Sequence, residues 1–199
     1  MRKFIAAFLS VFMIFGITGC SKEKSPDEVV KITLAALKEG DYIKASEYIN
    51  YEELMDAAGE VEIGELEGLD SQDMKELEEL AALLFKELEY KILSFEEEKA
   101  SAVVQAEITN IDMSEVLGEV FLQMFTLAFS GLEEEEMNEK AMEAFTESMS
   151  QEERSLVTNT VDIELTKEED KWKINITDEL LDGIFGGVIS TIENMKDSF

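Results

Sequence analysis

The chain has 199 residues, 46 of them acidic and 17 basic, for a formal charge of −29, with one cysteine and no histidine. Such a charge excludes direct nucleic-acid binding, which needs basic surface to displace phosphate counterions. The missing histidine removes the commonest general base and transition-metal ligand, and a lone cysteine leaves no disulfide or thiolate cluster, so no cofactor or metal is expected.

Arg2 and Lys3 form a positive end, and Phe4 to Ile17 an apolar run of signal-peptide length. The run is short for a spanning helix, which needs about 20 apolar residues. Thr18 and Gly19 are small and leave a peptidase room at the bond before Cys20. The order Ile17-Thr18-Gly19-Cys20 resembles the bacterial lipoprotein lipobox. That resemblance implies that the Cys20 thiol receives a diacylglycerol group, that the Gly19–Cys20 bond is cut, and that Cys20 becomes the new N-terminus. Two acyl chains, at about 0.8 kcal/mol per buried methylene, give lasting attachment where one binds marginally.

Residues 1–19 are therefore expected to be a signal peptide, 20–26 a lipidated cysteine with a short tether, and 27–199 one domain on the extracytoplasmic side of the cell membrane. Losing residues 1–19 removes Arg2 and Lys3 and no acid, leaving a formal charge of −31. Anionic headgroups repel such a domain, so the anchor does the holding. Ser21 to Pro26 spans at most about 20 Å when extended, which keeps the domain close to the bilayer. The Lys/Glu-rich, cysteine-poor composition leans towards a Gram-positive bacterium.

The domain opens at Ser25-Pro26-Asp27-Glu28, where serine can cap a helix, proline suits its first position and the acids complement the dipole. Val29, Val30, Ile32, Thr33, Ala36 and Leu37 recur at helical spacing, Gly40 stops the helix, and Asp41 can cap a second from about Tyr42 to Ile49. Tyr51 to Gly68, with glycines at 59, 64 and 68 among acids, reads as a short helix and an acidic loop. Asp70-Ser71-Gln72-Asp73 starts an amphipathic helix through Leu88.

The period then falls to two. Tyr90 to Glu96 reads as a strand, and Ala102, Val104, Ala106 and Ile108 as one face of a second. Val161, Ile163 and Leu165 alternate with polar residues, as do Trp172, Ile174 and Ile176 after the turn Glu168-Glu169-Asp170. Setting Leu165 opposite Trp172 places Glu164 opposite Lys173 as a cross-strand ion pair. One face is apolar and one polar, so helices should cover a single side.

A helical insertion, 112–157, separates the two hairpins. Ser114 is read as the cap of a helix that is apolar nearly all round, through Phe121, Leu122, Phe125 and Phe129. Gly131 breaks it, Glu133 to Glu136 begin a polar helix through about Met149, and Gln151 to Leu156 add a turn or two. Asp178 is read as the cap of one C-terminal helix carrying Leu180, Leu181, Ile184, Phe185, Val188, Ile189 and Ile192. The fold class is α+β: helices on one face of a curved antiparallel sheet of about four strands, with a helical insertion and a C-terminal helix.

The stretch Ser25 to Val30, with Ala35 to Tyr42 and Ala45, is similar to the start of many small bacterial lipoproteins of the nuclear-transport-factor-2-like, or cystatin-like, group. That resemblance implies helices packed in the concave side of the sheet, a cone with a cavity. Enzymes on this architecture use an aspartate in an apolar cavity, but no Asp or Glu here stands alone on an apolar face, and fold analogy does not carry an activity.

Candidate sites have plain competitors. Glu133 to Glu136 reads as a solvated helix start before a cation site, since no spaced Asp/Asn loop accompanies it. Trp172 reads as core before ligand platform, and Asp41 with Tyr42 as turn and cap before catalysis. The apolar helix around Phe121 to Phe129 reads as a central core helix, with a ligand-lining or partner-facing role as the alternative. The residues assigned a role are Gly19 and Cys20. The function expected is a membrane-anchored lipoprotein, non-catalytic, binding a small apolar ligand or an envelope protein. An enzyme with a buried Asp or Glu base is the alternative.

Overall fold

The structure, a computed structural model, describes residues 24–50 and 71–196. The reading of 51–68 and the lipobox at Gly19 and Cys20 lie outside the described residues. Two helices open the described chain, α1 (Pro26–Glu39) and α2 (Tyr42–Ser46), and α3 covers Ser71–Phe85. A hairpin follows, β1 (Glu89–Glu97) and β2 (Ser101–Ile111). Next come α4 (Met113–Leu127) and α5 (Glu134–Met149), a second hairpin of β3 (Leu156–Glu168) and β4 (Lys171–Ile174), and finally α6 (Asp178–Ile184) and α7 (Val188–Lys196).

The start of α1 obeys its sequence. Ser25 N–H donates to Glu28 Oε2 at 3.1 Å, Pro26 takes the first position, and Gly40 ends the helix at φ +75°. Asp41 Oδ1 then accepts from Lys44 N–H at 3.1 Å to start α2. That helix stops at Ser46 rather than Ile49, because the next residues serve β4. Tyr48 C=O accepts from Ile174 N–H at 2.7 Å, and Asn50 N–H donates to Ile174 C=O at 2.9 Å. These bonds occupy backbone groups on the free edge of β4.

The four strands form one curved, unclosed antiparallel sheet in the order β1-β2-β3-β4. Its central pair, β2 with β3, runs from Ser101↔Thr166 to Ile111↔Leu156. One face is apolar: Ala102, Val104 and Ala106 sit opposite Leu165, Ile163 and Val161, small against large, and all are buried. Val29, Val30 and Leu34 of α1 cover it together with Phe85, Leu88, Leu180 and Ile184, and Trp172 and Ile174 complete the cluster. Each such Leu, Ile or Val contributes about 1.5–3 kcal/mol by leaving water. The other face carries cross-strand polar pairs, Lys91 with Glu107 at 3.1 Å, Gln105 with Asp162 at 3.0 Å and Thr109 with Thr158 at 2.7 Å. Helices thus cover one side only, as the alternation requires.

Several local expectations are corrected. Leu165 pairs with Ile174, not Trp172, and the Glu164–Lys173 pair does not form; Lys173 instead donates to Glu47 C=O at 2.6 Å. The expected register would set Glu168 against Glu169 and leave no residue to turn. The observed one sets Glu168 against Lys171, with Glu169 and Asp170 at φ +46° and +64° as a two-residue turn. Asp112, not Ser114, caps α4, its Oδ1 accepting from Ser114 N–H at 2.9 Å. Thr177, not Asp178, caps α6, its Oγ1 accepting from Leu180 N–H at 3.2 Å. Residues 151–155 form no helix, since they carry the chain back to β3.

The C-terminal helix is two helices, broken at Gly186 and Gly187, with φ +58° and +82°. The break lets the chain press on the end of β2. Met113 N–H donates to Gly186 C=O at 2.9 Å, and a Cβ on Gly186 would stand 1.8 Å from Ile111 O. Beside it, buried Asn110 donates through Nδ2 to Leu84 C=O at 2.9 Å and Ile184 C=O at 2.7 Å, and its Oδ1 accepts from Ile111 N–H. Gly187, equally left-handed, has no atom near its absent Cβ. Gly187→Ala should therefore cost only backbone strain, about 1–2 kcal/mol. Gly186→Ala adds a clash with backbone and should cost roughly 2–5 kcal/mol. Urea midpoints of the two variants measure the difference; equal losses would show that the approach to Ile111 does not matter.

Candidate functional site

The helices of the insertion leave the sheet at the Ile111/Leu156 end. Met113 and Val116 of α4 pack with Ile111 and Met149 in a second buried cluster, against which Leu83, Leu84, Leu117 and Phe145 rest. The second helix starts with Glu133 N–H donating to Glu136 Oε2 at 3.3 Å, the solvated helix start read from the sequence. Ala144, Ser148 and Met149 give it a buried face.

One guanidinium ties the two helices of this hairpin to the chain that leads into β3. Arg154, whose side chain is 3% exposed, donates from Nε to Ser148 C=O at 2.7 Å and from Nη2 to Glu119 Oε2 at 2.6 Å. Ser148 Oγ donates to the same Glu119 oxygen at 2.6 Å, and Glu115 stands 4.0 Å from Nη1. Both helices and the lead into β3 thus meet on one guanidinium. The sequence contains just one other arginine, Arg2. That rarity was the available signal, although nothing in the pattern around residue 154 indicated burial. Arg154, and then Ser148, hold the Glu119 carboxyl below its ordinary range.

The helix around Phe121 to Phe129 is not the central core helix expected. Leu122 is 66% exposed, Phe125 59% and Phe129 82%, with Phe121 at 46%. At about 100° per residue Phe121, Leu122 and Phe125 fall within roughly 100° of arc on α4, and Phe129 follows in the turn just past its end. The rings of Phe121 and Phe125 stack with centroids 6.3 Å apart, and Phe125 meets Phe129 edge-on at 5.7 Å. The reason is positional. Beyond its first turn α4 has run past the end of the sheet; it packs against α5 and more slightly against α7, and the face that carries these side chains has no described layer above it.

At the opposite end of the sheet lies an open cleft of about 920 Å³. Lys24, Glu47, Tyr48 and the β3–β4 turn line it, and Lys24 Nζ stands 5.3 Å from the Tyr48 ring centroid. Lys24 is the described residue nearest in sequence to Cys20. Trp172 also borders this cleft but is buried, with Lys167 Nζ 5.3 Å from its ring centroid, so it is core, as read. The Asp41 carboxylate serves as a cap, and burial pushes the Tyr42 hydroxyl pKa up. The eleven residues of β2 separate the two ends by about 34 Å, at roughly 3.4 Å per residue.

The fold and this exposed hairpin define a class: a one-sided α+β sheet domain with an aromatic helical projection. The chain belongs to the family described as Domain of unknown function (DUF5105), whose profile matches residues 65–186. The match holds the whole sheet, α3 to α6 and the projection; α1 and α2, which supply part of the core, lie outside it. No curated protein matches the sequence. Among solved structures the chain is similar to a candidate lipoprotein, ycdA, from Bacillus subtilis, with 17% identity and a TM-score of 0.46. That match covers 79% of this chain and 57% of the other, so this chain spans little more than half the length of that relative.

Replacing Arg154 by Met keeps its bulk and removes its charged hydrogen bonds, which should cost about 1.5–3 kcal/mol at neutral pH. Glu119 binds protons less readily folded than unfolded, so its share of that cost is complete above its ordinary pKa of 4.5 and fades as the pH falls through the depressed folded value. Thermal melts of both proteins from pH 7 to pH 3 should show the gap narrowing only at the acid end.

Proposed function

We propose that this protein is a membrane-anchored extracytoplasmic lipoprotein that binds an envelope protein through the exposed face of α4, and that it is not an enzyme. The observation that carries the binding reading is the exposure of Leu122 and Phe125 on one face of α4, continued by Phe129 in the turn just beyond it. An exposed apolar patch of adjacent large side chains marks an interaction surface more often than scattered ones do. The anchor rests on the leader and lipobox ending at Cys20. A tether entering beside Lys24 leaves the whole length of β2 between the bilayer side and the projection.

The small-ligand version is supported less well, because the apolar face of the sheet is covered by α1, α6 and Phe85, which fill the space a cone cavity would occupy. An enzyme would need a carboxylate raised by burial. Among the described residues, the carboxyl groups of Asp27 and Glu119 are instead held below their ordinary range, by Lys31 and Arg154 respectively.

Two experiments test the halves separately. Cys20→Ala should abolish labelling by a palmitate analogue and release the protein from membranes; retained labelling would refute the anchor. A photo-crosslinking side chain placed at Phe125 in the intact protein, in its own cells, should give a discrete adduct with one envelope protein, whereas the same group at exposed Glu97 of β1 should not. Identical adduct patterns from both positions would sink the binding face.

A further inference from the structure

The exposed face of α4 carries, beyond its apolar side chains, a charge setting that selects its occupant. Between Met113 and Glu153 the chain has eleven glutamates and one lysine. Exposed Glu133, Glu136, Glu139, Glu143 and Glu147 belong to this hairpin. The aromatic run ends at Phe129, two residues past the C-terminal end of α4, where the helix dipole is negative and favours cations. Four residues further on stand Glu133 to Glu136. An apolar stripe two turns long that leads into concentrated negative charge matches a segment with apolar anchors at helical spacing and lysines or arginines beside them.

We infer that α4 docks a basic amphipathic helix of a partner protein, with Leu122, Phe125 and Phe129 as the apolar anchors and the acids around Glu133 and Glu136 receiving its cations. This rests on the reading of α4 as the binding face and names the partner's chemistry. A second copy fits poorly, because a two-fold contact would set this acidic hairpin against itself. The bilayer fits poorly too: the tether end is about 34 Å away along β2, and anionic headgroups repel the acids.

The test uses the full lipidated protein in zwitterionic phosphatidylcholine nanodiscs, with empty nanodiscs as the blank. The probe is an amphipathic peptide of about five helical turns built from Leu and Lys, compared with one in which Glu replaces every Lys. The Leu/Lys peptide should bind saturably, more weakly in high salt, and the Leu/Glu peptide should not bind. Phe125→Ser with Phe129→Ser should weaken binding at least about tenfold, as removal of aromatic anchors does. Glu133→Gln with Glu136→Gln should weaken it less and flatten the salt dependence.

Equal binding of the two peptides, or undiminished binding to the Phe125/Phe129 variant, would overturn the proposal, the latter showing bulk attraction only. A dimer in sedimentation that those substitutions dissolve would assign the face to a second copy, and loss of bilayer retention would assign it to lipid; either overturns it. Melting temperatures control for folding, and Phe129→Ser alone, at the most exposed ring, replaces the double variant if that unfolds. Should the Phe125 crosslink capture a partner through a segment without basic residues, the binding face stands and this inference fails.

Discussion

The structure depends on one corner, Asn110 to Met113, where β2 ends. Within four residues the chain spends a buried amide on two carbonyls, takes Gly186 against the Ile111 carbonyl, caps α4 with Asp112 and bonds Met113 N–H to Gly186 C=O. Asp112 N–H also donates to Ser155 C=O at 2.8 Å, which brings the far end of the insertion back to the start of β3. Five elements meet there: β2, α3, α4, β3 and the α6–α7 break. Each polar contact is made by a group that would be costly to bury unpaired, so the corner tolerates few alternative arrangements.

That corner explains why the insertion projects. A chain leaving β2 at Ile111 and returning at Leu156 must make its excursion beyond the sheet, since both ends of the insertion are adjacent in the central strand pair. Arg154 then ties the excursion down near its base, drawing Glu119 and Ser148 onto one cation. Close to the corner the helices are well packed; further out, the α4 face that carries Leu122 and Phe125 is left to solvent. Its exposed aromatics follow from topology more than from local sequence preference.

The molecule accordingly has two unlike ends. Around Lys24 and the β3–β4 turn, lysines and acids lie side by side, Lys167, Lys171 and Lys173 flanking Glu168, Glu169 and Asp170. The projection is acidic almost throughout and carries the exposed rings. A protein held at the first end presents the second outward, and the charge bias adds to that orientation because anionic lipid repels the acidic end more strongly. On the function proposed above, anchor and binding face would be served by opposite ends of one sheet.

Periodicity and punctuation in the sequence were enough for the α+β class, the one-sided sheet, the capped start of α1, the Gly40–Asp41 turn and the division into two hairpins about an insertion. These follow from local preferences, such as a proline at a first helical position or alternation along a strand, which need no knowledge of the rest of the chain. Register, helix breaks and burial were decided by tertiary structure. A two-residue turn at Glu169 and Asp170 overrode the charge pairing of Glu164 with Lys173, and the approach of Gly186 to Ile111 split a helix that an unbroken apolar stripe had joined. Composition alone makes Phe121 to Phe129 a core helix, because burial is where such residues gain most. Only the position of α4 beyond the end of the sheet shows that no layer was left to bury them.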